Sequence, residues 1–135
     1  MKILLIAMLL VSSMLAEIVV IVNPVSKVKN LNASYVKKVF MKKIKSLPNG
    51  EILVPIDQNY ESEIYRSFYE SIASKTPGRM SKYWAKLNFT GRGEAPKVVA
   101  SDSDVIRMVM NNTNMVGYID SESLNDGVKV IYTLD

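Results

Sequence analysis

Lys97–Ile119 reads KVVASDSDVIRMVMNNTNMVGYI. Lys97-Val98-Val99-Ala100 has the composition of a short strand. Ser101 and Ser103 follow, each with an oxygen able to accept a backbone N–H at a helix start. Val105, Ile106, Val109 and Met110 then recur at the spacing of one helix face, predicted to point inward. Met115–Ile119 is a second apolar run of strand length. A strand, a helix and a strand in that order predict parallel strands joined by a helical crossover.

The same order extends both ways. Downstream, Asp126-Gly127 turns into Val128–Thr133, a last strand. Upstream, Thr76 and Pro77 have the chemistry of an N-cap and a first helical residue, and Met80, Tyr83, Trp84 and Leu87 share a face beyond them. A helix from about Glu61 to Ser74 buries Ile64, Phe68 and Ile72. It follows a strand at Ile52–Ile56, which Leu47-Pro48-Asn49-Gly50 sets off as a turn. Ser34 caps a helix predicted to run to Ile44 on Val36, Val39, Phe40 and Ile44. Glu17–Val22 (EIVVIV), apolar on both faces, reads as a buried central strand. The expected fold class is α/β, a three-layer sandwich with a mostly parallel sheet and right-handed crossovers.

Residues 1–16 stand apart. Lys2, the apolar run Ile3–Val11 and the small residues before Glu17 form the pattern of a secretory signal peptide. Cleavage is expected after Ala16, the alternative being a retained anchor. That leaves 17–135 as one domain. The chain has no cysteine, so an exported domain would rest on its core alone, which fits a periplasm. It has no histidine, which removes the usual general base, the usual metal ligand and any Ser-His or Cys-His pair. No cofactor, no metal and no enzymatic activity is expected.

The stretch with most chemical interest is Phe89-Thr90-Gly91-Arg92-Gly93-Glu94-Ala95-Pro96. Its glycines can bring backbone N–H groups close to a ligand, and Arg92 offers a charged fork suited to an oxyanion. The same residues also suit a sharp chain reversal. The basic run Lys27, Lys29, Lys37, Lys38, Lys42, Lys43 and Lys45 reads as solvated charge, mostly opposite the apolar stripe of the first helix, rather than an anionic-lipid or nucleic-acid patch, and no nucleic-acid partner is expected. Asp57, Glu61 and Glu63 read as acids at a helix start, offsetting its dipole.

Three segments occur together in an order with a known counterpart. They are Pro48-Asn49-Gly50 before Ile52–Ile56, Tyr83-Trp84 before Phe89–Gly93, and Met115–Ile119. Over nearly all of 17–135 the chain resembles small single-lobe relatives of the phosphate-binding subunit of ABC transporters, in the type 2 periplasmic-binding-protein superfamily. The resemblance implies a periplasmic α/β lobe binding phosphate or a similar oxyanion, with Ser26, Ser62, Thr90, Gly91, Arg92 and Gly93 as ligand-binding candidates. Such receptors usually carry an Arg-then-Ser-Gly-Thr-like cradle where this chain has Asp57–Ser62. The alternative is therefore an interaction module that has lost its ligand and contacts a membrane protein or a second copy of itself.

Overall fold

The EIVVIV run forms β1 (Ile18–Val22), buried at every residue. Ile18, Val20 and Val22 enter one apolar cluster, while Val19 and Ile21 enter another. That is the two-residue period of a strand covered on both faces. The computed structural model describes residues 17–134, and the segment read as a signal peptide lies outside the described residues. The remaining elements are α1 (Ala33–Phe40), β2 (Val54–Gln58), α2 (Glu63–Ala73), α3 (Pro77–Phe89), β3 (Lys97–Val99), α4 (Asp102–Met110), β4 (Met115–Asp120) and β5 (Lys129–Thr133).

The sheet order is β3-β2-β4-β1-β5. β2 pairs parallel with β3 and β4, and β1 pairs antiparallel with β4 and β5. Four strands therefore point one way and β1 is reversed between β4 and β5. An apolar run reads the same in either direction, so β1's burial was legible in the sequence and its reversal was not. The first cluster packs β1 and β4 against α1, α2 and α3, and the second packs them against α4. This gives the three-layer sandwich. Gly117 lies where α4 meets the sheet: a Cβ there would collide with the Val105 side chain and lie 3.1 Å from Ile56.

Two caps behave as the sequence predicts, and Ser62 adds a third that the expected helix start at Glu61 does not include. Thr76 accepts from the Arg79 N–H with Pro77 at the helix start, Ser101 accepts from Asp104, and Ser62 accepts from Tyr65. Three expectations are corrected. α1 is capped by Asn32 and stops at Phe40, four residues short of Ile44. β2 is shifted toward the C-terminus, placing Asp57 and Gln58 inside a strand and leaving Ile52 in an isolated bridge with Ser46. Met110, expected inward, is exposed in the last turn of α4.

Candidate functional site

The glycine loop is first of all a helix stop. Thr90 ends α3, and the Gly91 N–H donates to Asn88 O while the Arg92 N–H donates to Leu87 O. Gly91 has φ +70°. These two bonds and the left-handed residue form a Schellman cap. The Thr90 hydroxyl donates back to Lys86 O and Leu87 O. The loop's amides at 91 and 92 are thus engaged by the helix, and the side chains of Phe89, Arg92 and Glu94 are exposed to solvent.

α1 ends in the same way. The Lys42 N–H donates to Val39 O and the Lys43 N–H to Lys38 O, with Lys42 at φ 54°. The chain turns there, so Lys42, Lys43 and Lys45 leave the helix and face the end of α3. They line an open cleft of about 740 Å³ with Lys86, Arg92 and Thr90, over an apolar wall of Tyr83 and Leu87. Tyr83 fixes the two sides together by donating its hydroxyl to Met41 O at 2.6 Å. A second groove of about 400 Å³ shares Lys42, Lys45 and Arg92 and runs on past Ile52 and Val54, with Glu94 at its side. The one salt bridge among the described residues joins Arg107 to Asp104, so the cleft's cations have no carboxylate within bonding distance. Like charges held around one concavity focus a positive potential there.

This cleft lies at the amino edge of the sheet, where β2 and β3 begin. The carboxyl edge, where they end, carries the opposite charge. Glu61 and Glu63 flank Ser62 at the start of α2, and Asp102 and Asp104 start α4. Ser62 is occupied: its hydroxyl donates to Asn59 O at 2.6 Å and accepts from the Tyr65 N–H. Asp102 is occupied too, accepting from Gln58 Nε2 at 2.7 Å, Ser123 Oγ at 2.7 Å and the Asp120 N–H at 3.1 Å.

Asp57, by sequence a helix-start acid, is instead fully buried in β2. Its carboxylate accepts from Tyr69 at 2.8 and 2.9 Å and from Tyr118 at 2.9 Å. Burial pushes its pKa from the ordinary 3.8 up to about 7, against the opposing pull of both tyrosine hydroxyls and Lys42. The same burial, with the Asp57 charge, holds both tyrosines well above their usual range. Phe68 seals the group, stacked on Tyr118 with ring centroids 3.8 Å apart. The Tyr65 hydroxyl and Trp84 Nε1 lie buried nearby with no hydrogen-bond partner among the described residues.

The structure thus divides the candidates predicted from sequence. Thr90, Gly91, Arg92 and Gly93 lie at the amino edge beside the lysine cleft. Ser26 is at the same edge, after the reversed β1, but is buried, with its Oγ accepting from the Val28 N–H. Ser62 lies at the far edge. The sequence does not show Lys42, Lys43 and Lys45 as a group, because a helix drawn to Ile44 spreads its lysines over a solvated face, and Lys86 joins them from α3 only through the fold.

No family model matches the chain, and no curated protein matches it significantly. Solved structures do match. An ABC-type phosphate transport receptor from Vibrio cholerae superposes with a TM-score of 0.67 at 20% identity, over 85% of this chain and 45% of its own. A putative phosphate ABC transporter substrate-binding protein from Clostridium perfringens, solved with bound phosphate, gives 0.69 at 18%, over 85% and 44%. PstS from Borrelia burgdorferi gives 0.60 at 17%, over 85% and 46%. The chain spans less than half the length of each. Its fold is that of a single lobe of the phosphate ABC transporter substrate-binding proteins.

Proposed function

We propose that the protein is an exported, non-enzymatic binding module that holds phosphate or a similar oxyanion in the cleft at the amino edge. The observation that carries this reading is the convergence of Lys42, Lys43, Lys45, Lys86 and Arg92 on one concavity, with no salt bridge to a carboxylate among the described residues. Arg92 supplies the planar fork that can take two oxygens of one anion, and the lysines supply charge. Gly91 and Gly93 set the turn that aims Arg92, and Thr90 lies at the rim. Ser26 supports the adjoining loop. Ser62 takes no part, because both of its hydrogen-bonding functions are engaged and its neighbours Glu61 and Glu63 repel a dianion. Phosphate is the first ligand to test, since the structural neighbours are phosphate receptors by name. The cleft is open to water, where charged contacts are weak, so binding is expected in the millimolar range.

Thermal melting tests it. In phosphate at several times its dissociation constant, against chloride at equal ionic strength, the wild-type midpoint should rise by about 2–4 °C. Arg92→Ser should remove most of the rise. Equal midpoints in the two salts would overturn the proposal.

A second reading is an interaction module using the carboxyl edge to contact a membrane protein or another copy of this chain. It is favoured by the acids around Ser62, which leave that edge unsuited to an anion. Sedimentation and pull-down distinguish it: a strictly monomeric protein that captures nothing counts against it.

A further inference from the structure

The amino edge holds more than charge. Phe89, the last residue of α3, is 94% exposed beside Lys86 and Arg92, and Val25 (73%), Ile52 (55%) and Val54 (39%) are exposed as well. Ile52 and Val54 line the groove shared with Lys42, Lys45 and Arg92, and Ile52 also borders a shallow hollow with Val25 and Lys27. Val25, Ile52 and Val54 therefore lie along one strip interleaved with cations, and Phe89 projects from the end of α3, three residues before Arg92. Glu51 and Glu94 are the acids lining the strip. The clustered acids at the starts of α2 and α4 are at the opposite end of the sheet.

We infer that this end of the molecule seats on an anionic lipid surface, with Phe89 entering the headgroup–acyl boundary and the lysines facing lipid phosphates. Two features favour a lipid surface over a protein partner. Apart from Arg92, the cations of the strip are lysines, a residue depleted from protein interfaces. Lysine near an anionic membrane contributes as a point charge without needing a matched partner. The inference shares its cations with the oxyanion reading but rests on the apolar side chains, so the two can fail separately.

The test is sedimentation of the full chain with phosphatidylglycerol vesicles and with phosphatidylcholine vesicles at low salt. Residues 3–11 are apolar and common to every variant, so the readout is the difference between lipids and between variants. Phosphatidylglycerol should bind clearly more tightly. Exchanging Lys42, Lys43 and Lys45 together for Ser should weaken that binding about a hundredfold. Phe89→Ser should weaken it about tenfold. Phe89→Trp should give a blue-shifted emission with phosphatidylglycerol that the wild type, carrying only buried Trp84, does not. Equal binding to both lipids, unchanged binding by the lysine and Phe89→Ser variants, or no emission shift would overturn the inference. So would capture of an acidic protein through Phe89 while vesicles stay unbound. Free phosphate raising the melting midpoint with no vesicle binding would leave the oxyanion reading standing and remove this one.

Discussion

Asp57 shows how one residue can escape a sequence reading. With the strand drawn as Ile52–Ile56, Asp57 falls just outside it and joins Glu61 and Glu63 as a helix-start acid. The real β2 starts two residues later and carries Asp57 into the core, where Tyr69 and Tyr118 receive it. Those donors lie 12 and 61 residues away in sequence, so no local pattern announces them. The consequence for stability has a definite sign. At low pH the carboxyl is neutral folded and unfolded. Between the ordinary 3.8 and the folded value of about 7, the unfolded chain ionises first, so rising pH favours unfolding. Above about 7 this contribution levels off, after a loss on the order of 4 kcal/mol. Denaturant unfolding across that window should show stability falling as pH rises, and Asp57→Asn should flatten the slope. An unchanged slope in the variant would mean that Asp57 titrates normally.

At the scale of elements, the helix ends carry the story. α1 and α3 both stop in Schellman caps at the amino edge, one on Lys42 and the other on Gly91. A lysine in the left-handed region pays a steric cost that glycine does not. Lys42→Gly should therefore stabilise the protein by about 0.5–1 kcal/mol in denaturant unfolding, while Gly91→Ala should destabilise it by about 1 kcal/mol. Equal effects at the two sites would contradict this account of the caps. The reversal at Gly91 was legible because glycine and its neighbours advertise a turn. The one at Lys42 was not, since nothing in FMKKIK marks a stop and the apolar spacing continues through Ile44. That misplaced boundary concealed the lysine cleft.

Across the whole molecule, topology and helix dipoles together explain the polarity of charge. Each helix that follows β2 or β3 starts at the carboxyl edge, where Glu63 and Asp102 and Asp104 offset its positive end. α1 and α3 finish at the amino edge, where lysines offset the negative ends. One sheet thus separates an acidic edge from a basic one. The strand and helix order, the buried EIVVIV strand and the caps at Thr76 and Ser101 could be read from the sequence, because each depends on local pattern. The reversal of β1 and the meeting of residues 42–45 with 86–92 depend on how distant segments are brought together, which pattern alone does not encode.

The central claim is that an oxyanion is held at the amino edge and not where the parallel strands end. Parallel sheets ordinarily bind ligands beyond the carboxyl ends of their strands, so the two edges make opposing predictions. Titrating phosphate into the ¹⁵N-labelled protein at constant ionic strength reads both at once. The account predicts saturable shifts of the amides of residues 42–45 and 86–93, lost in Arg92→Ser, with those of 59–64 unmoved. Saturable shifts centred on Ser62, or none at either edge, would contradict it.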